Sequence, residues 1–83
     1  MNKVNVREFI KITPNPSKGE MSIIIEDFDM ELLNLELYDI HGSLFYTETV
    51  SSNIVKLSDI PKGIFILNLS NSRRNYVEKI IVQ

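Results

Sequence analysis

An all-β domain is the fold this sequence predicts, and three observations predict it. Runs rich in Ile, Leu, Val, Phe and Tyr return roughly every 8 to 12 residues, the spacing of short strands in a sandwich or barrel. Turn-forming residues punctuate them. No window longer than about a dozen residues repeats apolar positions at the three-and-four spacing of an amphipathic helix. No helix of note is expected.

Seven strands are expected, near residues 8–13, 20–26, 33–39, 43–50, 53–57, 63–70 and 75–82. Residues 1–7 are polar and aperiodic, and read as a linker or an introduced start, so the domain is expected over 8–83. The first strand must stop at Pro14-Asn15-Pro16, because a residue before proline is pushed toward extended backbone and proline has no N–H for a ladder. Pro16-Ser17-Lys18-Gly19 then suits a tight loop, with Gly19 free to take positive φ. In the second run Met21, Ile23 and Ile25 share a face.

Asp27, Asp29 and Glu31 follow in alternation, as in a calcium loop. A loop counted from Asp27 would need glycine sixth and glutamate twelfth, yet Leu32 and Tyr38 stand there. A solvated connection is the reading. In the third run Leu33, Leu35 and Leu37 face one way and Asn34 and Glu36 the other, the period of two that a strand imposes. Asp39-Ile40-His41-Gly42 fits a type I turn closed by a glycine bulge: Asp39 accepts from nearby backbone and Gly42 takes the left-handed conformation.

The fourth and fifth strands are separated by polar residues at 51–53. Ile60-Pro61-Lys62-Gly63 forms the next joint, with Ile60 extended before Pro61 and Gly63 releasing the chain. Phe65, Leu67 and Leu69 then point inward. Asn71-Ser72-Arg73-Arg74-Asn75 marks a last polar hairpin, and Tyr76 to the terminus reads as strand throughout.

Eighty-three residues make one domain, and 43% hydrophobic content is enough for one core. With no cysteine and one histidine, no disulfide or metal staple is expected, so packing must hold it or a neighbouring domain must help. A formal charge of −2 offers no field for nucleic acid or anionic lipid. No apolar run approaches the ~20 residues needed to span a bilayer, and the start has no apolar stretch of a secretory leader.

No catalytic constellation emerges, and no cofactor is expected. His41 sits at a turn tip with nothing resembling a nucleophile arranged beside it. Tyr38, Tyr46 and Tyr76 are the rings that could lie on outer faces and stack on a ligand. Asn68-Leu69-Ser70 matches a glycosylation pattern inside a strand, and Arg73-Arg74 reads as a solvated pair. The last residues, Lys79, Ile80, Ile81, Val82 and Gln83, have two readings. A partner could take strand edge, Lys79 and terminus together, or the run merely completes the sheet.

Four signatures in order resemble a known family: Pro14-Asn15-Pro16 with Gly19; Leu37-Tyr38-Asp39 with Gly42; Leu57-Ser58-Asp59-Ile60 with Pro61, Gly63 and Ile64; and Lys79 near the end. Together, from about Ile12 to Gln83, they are similar to the type A C-terminal sorting domains of the type IX (Por) secretion system of Gram-negative bacteria. The resemblance implies a seven-stranded antiparallel β-sandwich of immunoglobulin-like type behind a covalently attached N-terminal cargo. It also implies export through the periplasm to the surface or medium, recognition by the outer-membrane translocon, and removal by a sortase-like peptidase. It makes the chain an address rather than an enzyme. It also implies that the turn residues are architectural and that the recognition signal lies around residues 79–83. The sequence departs from the family pattern at Ser43, Phe65 and Gln83, where Arg, Tyr and a basic residue are commoner. The alternative is an accessory carbohydrate-binding or adhesive sandwich module of a secreted enzyme, against which the absence of Trp argues.

Overall fold

The computed structural model describes residues 10–26 and 32–83. The expected linker, the start of the first strand and the acidic Asp27, Asp29 and Glu31 lie outside the described residues. Within them the chain forms β1 (Ile10–Thr13), β2 (Met21–Ile25), β3 (Leu33–Asp39), β4 (Leu44–Val50), β5 (Ile54–Leu57), β6 (Gly63–Ser70) and β7 (Asn75–Val82). The described residues hold no helix. The expected strands are trimmed at a few ends where the flanking backbone is already engaged. Ser43, for example, closes the β3–β4 hairpin by accepting from Asp39 N–H at 3.0 Å, so β4 starts at Leu44.

Two sheets face each other. One has the order β1-β2-β5 and the other β4-β3-β6-β7, with every strand pair antiparallel. This is the immunoglobulin-like arrangement with the fourth strand carried beside β3. Alternation decides which side chains meet between the sheets. From one come Met21, Ile23, Ile25, Val55 and Leu57; from the other Leu33, Leu35, Leu37, Leu67, Leu69 and Ile80, all buried. Because register is specified by this buried face, a one-residue slip would turn every leucine of β3 to water.

A three-stranded sheet does not cover a four-stranded one, and β4 bears the consequence. Its residues opposite the core leucines are Tyr46, Glu48 and Val50. Only Val50 is fully buried. Phe45 is the extra residue of a bulge, since Leu37 pairs with Tyr46 and Tyr38 with Leu44. The bulge lets the Phe45 ring reach Phe65, with centroids 5.3 Å apart.

Register gives the sandwich two distinct ends. Thr13 pairs with Ser22, Met21 with Leu57, Asp39 with Phe65, and Gly63 with Val82. The β1–β2, β3–β4 and β5–β6 loops and the C-terminus therefore gather at one end. Ile10, where the described chain enters, pairs with Ile25 at the other. A seven-residue β3 at about 3.4 Å per residue puts the ends roughly 20 Å apart.

Candidate functional site

All four sequence signatures converge on the end remote from Ile10. The hairpin Asp39-Ile40-His41-Gly42 is built as its residues require. Gly42 N–H donates to Asp39 C=O at 3.0 Å, Asp39 Oδ1 accepts from His41 and Ser43 N–H at 2.9 and 3.0 Å, and Gly42 has φ 87°. His41 is exposed at the tip of the turn. Pro61 is exposed and Gly63, with φ 150°, leads into β6.

Pro14-Asn15-Pro16 does more than end a strand. Both X–Pro bonds are cis. The arm that follows β1 crosses from the β1-β2-β5 sheet to lie along the outer edge of β7, where Ser17 makes a parallel bridge to Val82. Ser17 N–H donates to Ile81 C=O at 2.9 Å, and Gln83 N–H donates to Ser17 C=O at 2.8 Å. The Asn15 carboxamide continues the pairing with its side chain. Its Nδ2 donates to Lys79 C=O at 3.0 Å and to Glu78 Oε2 at 3.1 Å, while its Oδ1 accepts from Ile81 N–H at 3.0 Å. Both donors and the acceptor are used, which a carboxylate could not match. The Tyr76 hydroxyl donates to the other oxygen of Glu78 and so braces the carboxylate that orients Asn15.

Gly19 ties the same loop to the third signature. Ile60 N–H donates to Gly19 C=O at 3.2 Å. Gly19 has φ 108°, and a Cβ there would stand 3.0 Å from Ile60 O. Glycine is needed both for backbone conformation and for the close approach. The eight turn residues Pro14, Asn15, Pro16, Gly19, Asp39, Gly42, Pro61 and Gly63 thus belong to one assembled end.

The terminal residues divide. Ile80 and Val82 are buried core, Lys79 and Gln83 are exposed, and Ile81 is half-buried. Open hollows of about 570 and 410 Å³ flank this end. Pro14, Pro16, Lys18 and Gln83 help line the first, and Phe45, Tyr46, Lys56 and Asp59 the second.

Tyr38 alone of the three tyrosines lies on the outer face, between Leu44 and Ile66. Tyr46 and Tyr76 are on the inner face, and Tyr76 packs against the core edge. The hydroxyl of Tyr38 donates to Glu36 at 2.9 Å and that of Tyr46 to Glu48 at 2.6 Å. Those hydrogen bonds first, then desolvation and the carboxylate charge, raise both phenols above the ordinary tyrosine value. Among the described residues no cluster of His, Asp and Glu could hold a metal ion, and no described helix is long and apolar enough to cross a membrane.

The joining of Asn15 and Ser17 to β7 was missed in the sequence. An amide between two prolines carries no mark that it will pair with a strand more than sixty residues away. Compared with known proteins, the chain matches the model of the secretion system C-terminal sorting domain from residue 11 to residue 83. A search of curated proteins finds no match. The match begins one residue into β1 and runs through β7 to the terminus, enclosing all four signatures, and the chain belongs to the family of type IX secretion C-terminal sorting domains.

Proposed function

We propose that the end of the sandwich where the four signatures meet is the face offered to the outer-membrane translocon, with cargo attached through the opposite end. Family membership makes the chain a C-terminal sorting signal for type IX secretion, carried as the tail of a cargo that is exported to the cell surface or medium. The finer reading assigns contact with the translocon to this end, and subsequent removal to a sortase-like peptidase acting on the cargo side. One observation carries it: the described chain enters at Ile10, a strand length away from the β1–β2, β3–β4 and β5–β6 loops and the exposed Gln83. Cargo on that side leaves the signature end unobstructed. No catalytic role is assigned to the domain, whose family acts as an address.

The experiment fuses the whole chain behind a leader and a reporter in a type IX-competent host. The reporter should appear outside the cell with the machinery intact and stay in the periplasm when a translocon component is deleted. Export that persists in the deletion strain would refute the reading.

A further inference from the structure

We propose that the outer edge of β7 takes an extended strand from a partner, and that the arm from Asn15 to Ser17 is a placeholder that this strand displaces. The proposal rests on the export reading, in which the partner belongs to the secretion machinery. Its starting point is what already occupies the edge. Ile81 turns both its N–H and its C=O outward, to Asn15 Oδ1 and Ser17 N–H, and Lys79 C=O and Gln83 N–H are held in the same way. These are strand-type bonds in parallel sense. The edge is therefore built to receive parallel β-pairing.

The arm fills the edge only in part. Its backbone pairs with β7 only at Ser17, and at Asn15 a side chain substitutes for backbone. Just before Asn15 the chain leaves for the other sheet as β1. Direction alternates along a strand, so Val77 points its N–H and C=O the same way as Ile81. Neither these groups nor Lys79 N–H has a hydrogen-bond partner among the described residues. A continuous strand would pair with these groups as well as with those the arm now holds, which is the advantage by which it displaces the arm.

The side chains beside the edge describe the incoming segment. Val77 is 56% exposed, and Lys79 is exposed on the same outer face. In register, a parallel strand would lay an apolar residue against Val77 and an acidic one near Lys79. Recognition would be main-chain pairing with side-chain selection at two positions.

The test locks the arm. Ser17 and Val82 are bridge partners, the close spacing a disulfide requires, and the chain has no cysteine to compete. The double variant Ser17→Cys, Val82→Cys closes in the oxidising periplasm and fixes the arm on β7. A control lock, Lys11→Cys with Ile24→Cys, joins a β1–β2 pair and leaves the β7 edge free. Both are made in the leader–reporter fusion, with disulfide closure checked by mass and folding by circular dichroism. The expected result is loss of reporter export for the Ser17–Val82 lock, with export retained by the control lock and by each single-cysteine variant. Export of the Ser17–Val82 lock at the wild-type level overturns the proposal, as does loss of export in both locks, which would show that the domain must open elsewhere. The underlying export reading fails separately, through the behaviour of the unmodified fusion in the translocon-deletion strain.

Discussion

Two glycines at the signature end have similar backbone and different surroundings, and that difference sets what each substitution costs. Gly42 has φ 87° with open space where a Cβ would project, whereas Gly19 has φ 108° and Ile60 O only 3.0 Å from that position. Gly42→Ala should therefore cost about 1–2 kcal/mol, the strain of a left-handed backbone alone. Gly19→Ala should cost more, because the obstacle is backbone and the Gly19–Ile60 hydrogen bond must lengthen to relieve it. Denaturant midpoints of the two variants measure the difference, and equal losses would show that the close approach at Ile60 contributes nothing. Asn15 marks where residue identity stops being informative from sequence. A proline-flanked amide advertises a turn, and the turn is there, but the carboxamide's hydrogen bonds to Lys79 and Ile81 depend on where two sheets bring distant residues.

At the scale of strands, β3 and β6 are enclosed by neighbours on both sides, while β4 is an edge whose inner face shows Tyr46 and Glu48 beyond the cover of the smaller sheet. Native-state hydrogen exchange should find β4 amides exchanging faster than those of β3 and β6, which open only on global unfolding. Equal protection of β4 and β6 would mean that the overhanging strand is integral to the cooperative core. All seven strands were legible because each is a short run of strand-forming residues bounded by turn signals, and where burial alternates, as in the Leu33, Leu35, Leu37 series, the run names its own inward face. The neighbours of each strand were not, since a period of two says which face is buried and nothing about which strand lies alongside. Tyr46 shows the limit. The sequence leaves Tyr46 a candidate for an outer face, but the Phe45 bulge shifts the register counted from the hairpin and places it on the inner one, where missing cover leaves it exposed.

Across the whole molecule, fold and signal share β7, and this determines how the signal can be tested. Removing residues 79–83 deletes Ile80 and Val82, both core, along with the main-chain groups that hold Asn15 and Ser17. Burial of two such side chains contributes roughly 3–6 kcal/mol at about 1.5–3 each. A domain of this size has a total stability on the order of 4–12 kcal/mol. The truncated chain should consequently lose its cooperative thermal transition, and failure to export it would report unfolding as much as a lost address. Lys79→Ala separates the two, because that side chain is exposed and the hydrogen bond from Asn15 is accepted by the Lys79 backbone carbonyl, which alanine keeps. Surface substitutions of this kind shift stability by no more than about 0.5 kcal/mol. If residues 79–83 carry recognition as well as structure, Lys79→Ala melts like the parent and exports less. Unchanged export would place the signal in the loops gathered around Gly19, Gly42 and Pro61, with β7 serving to hold them together.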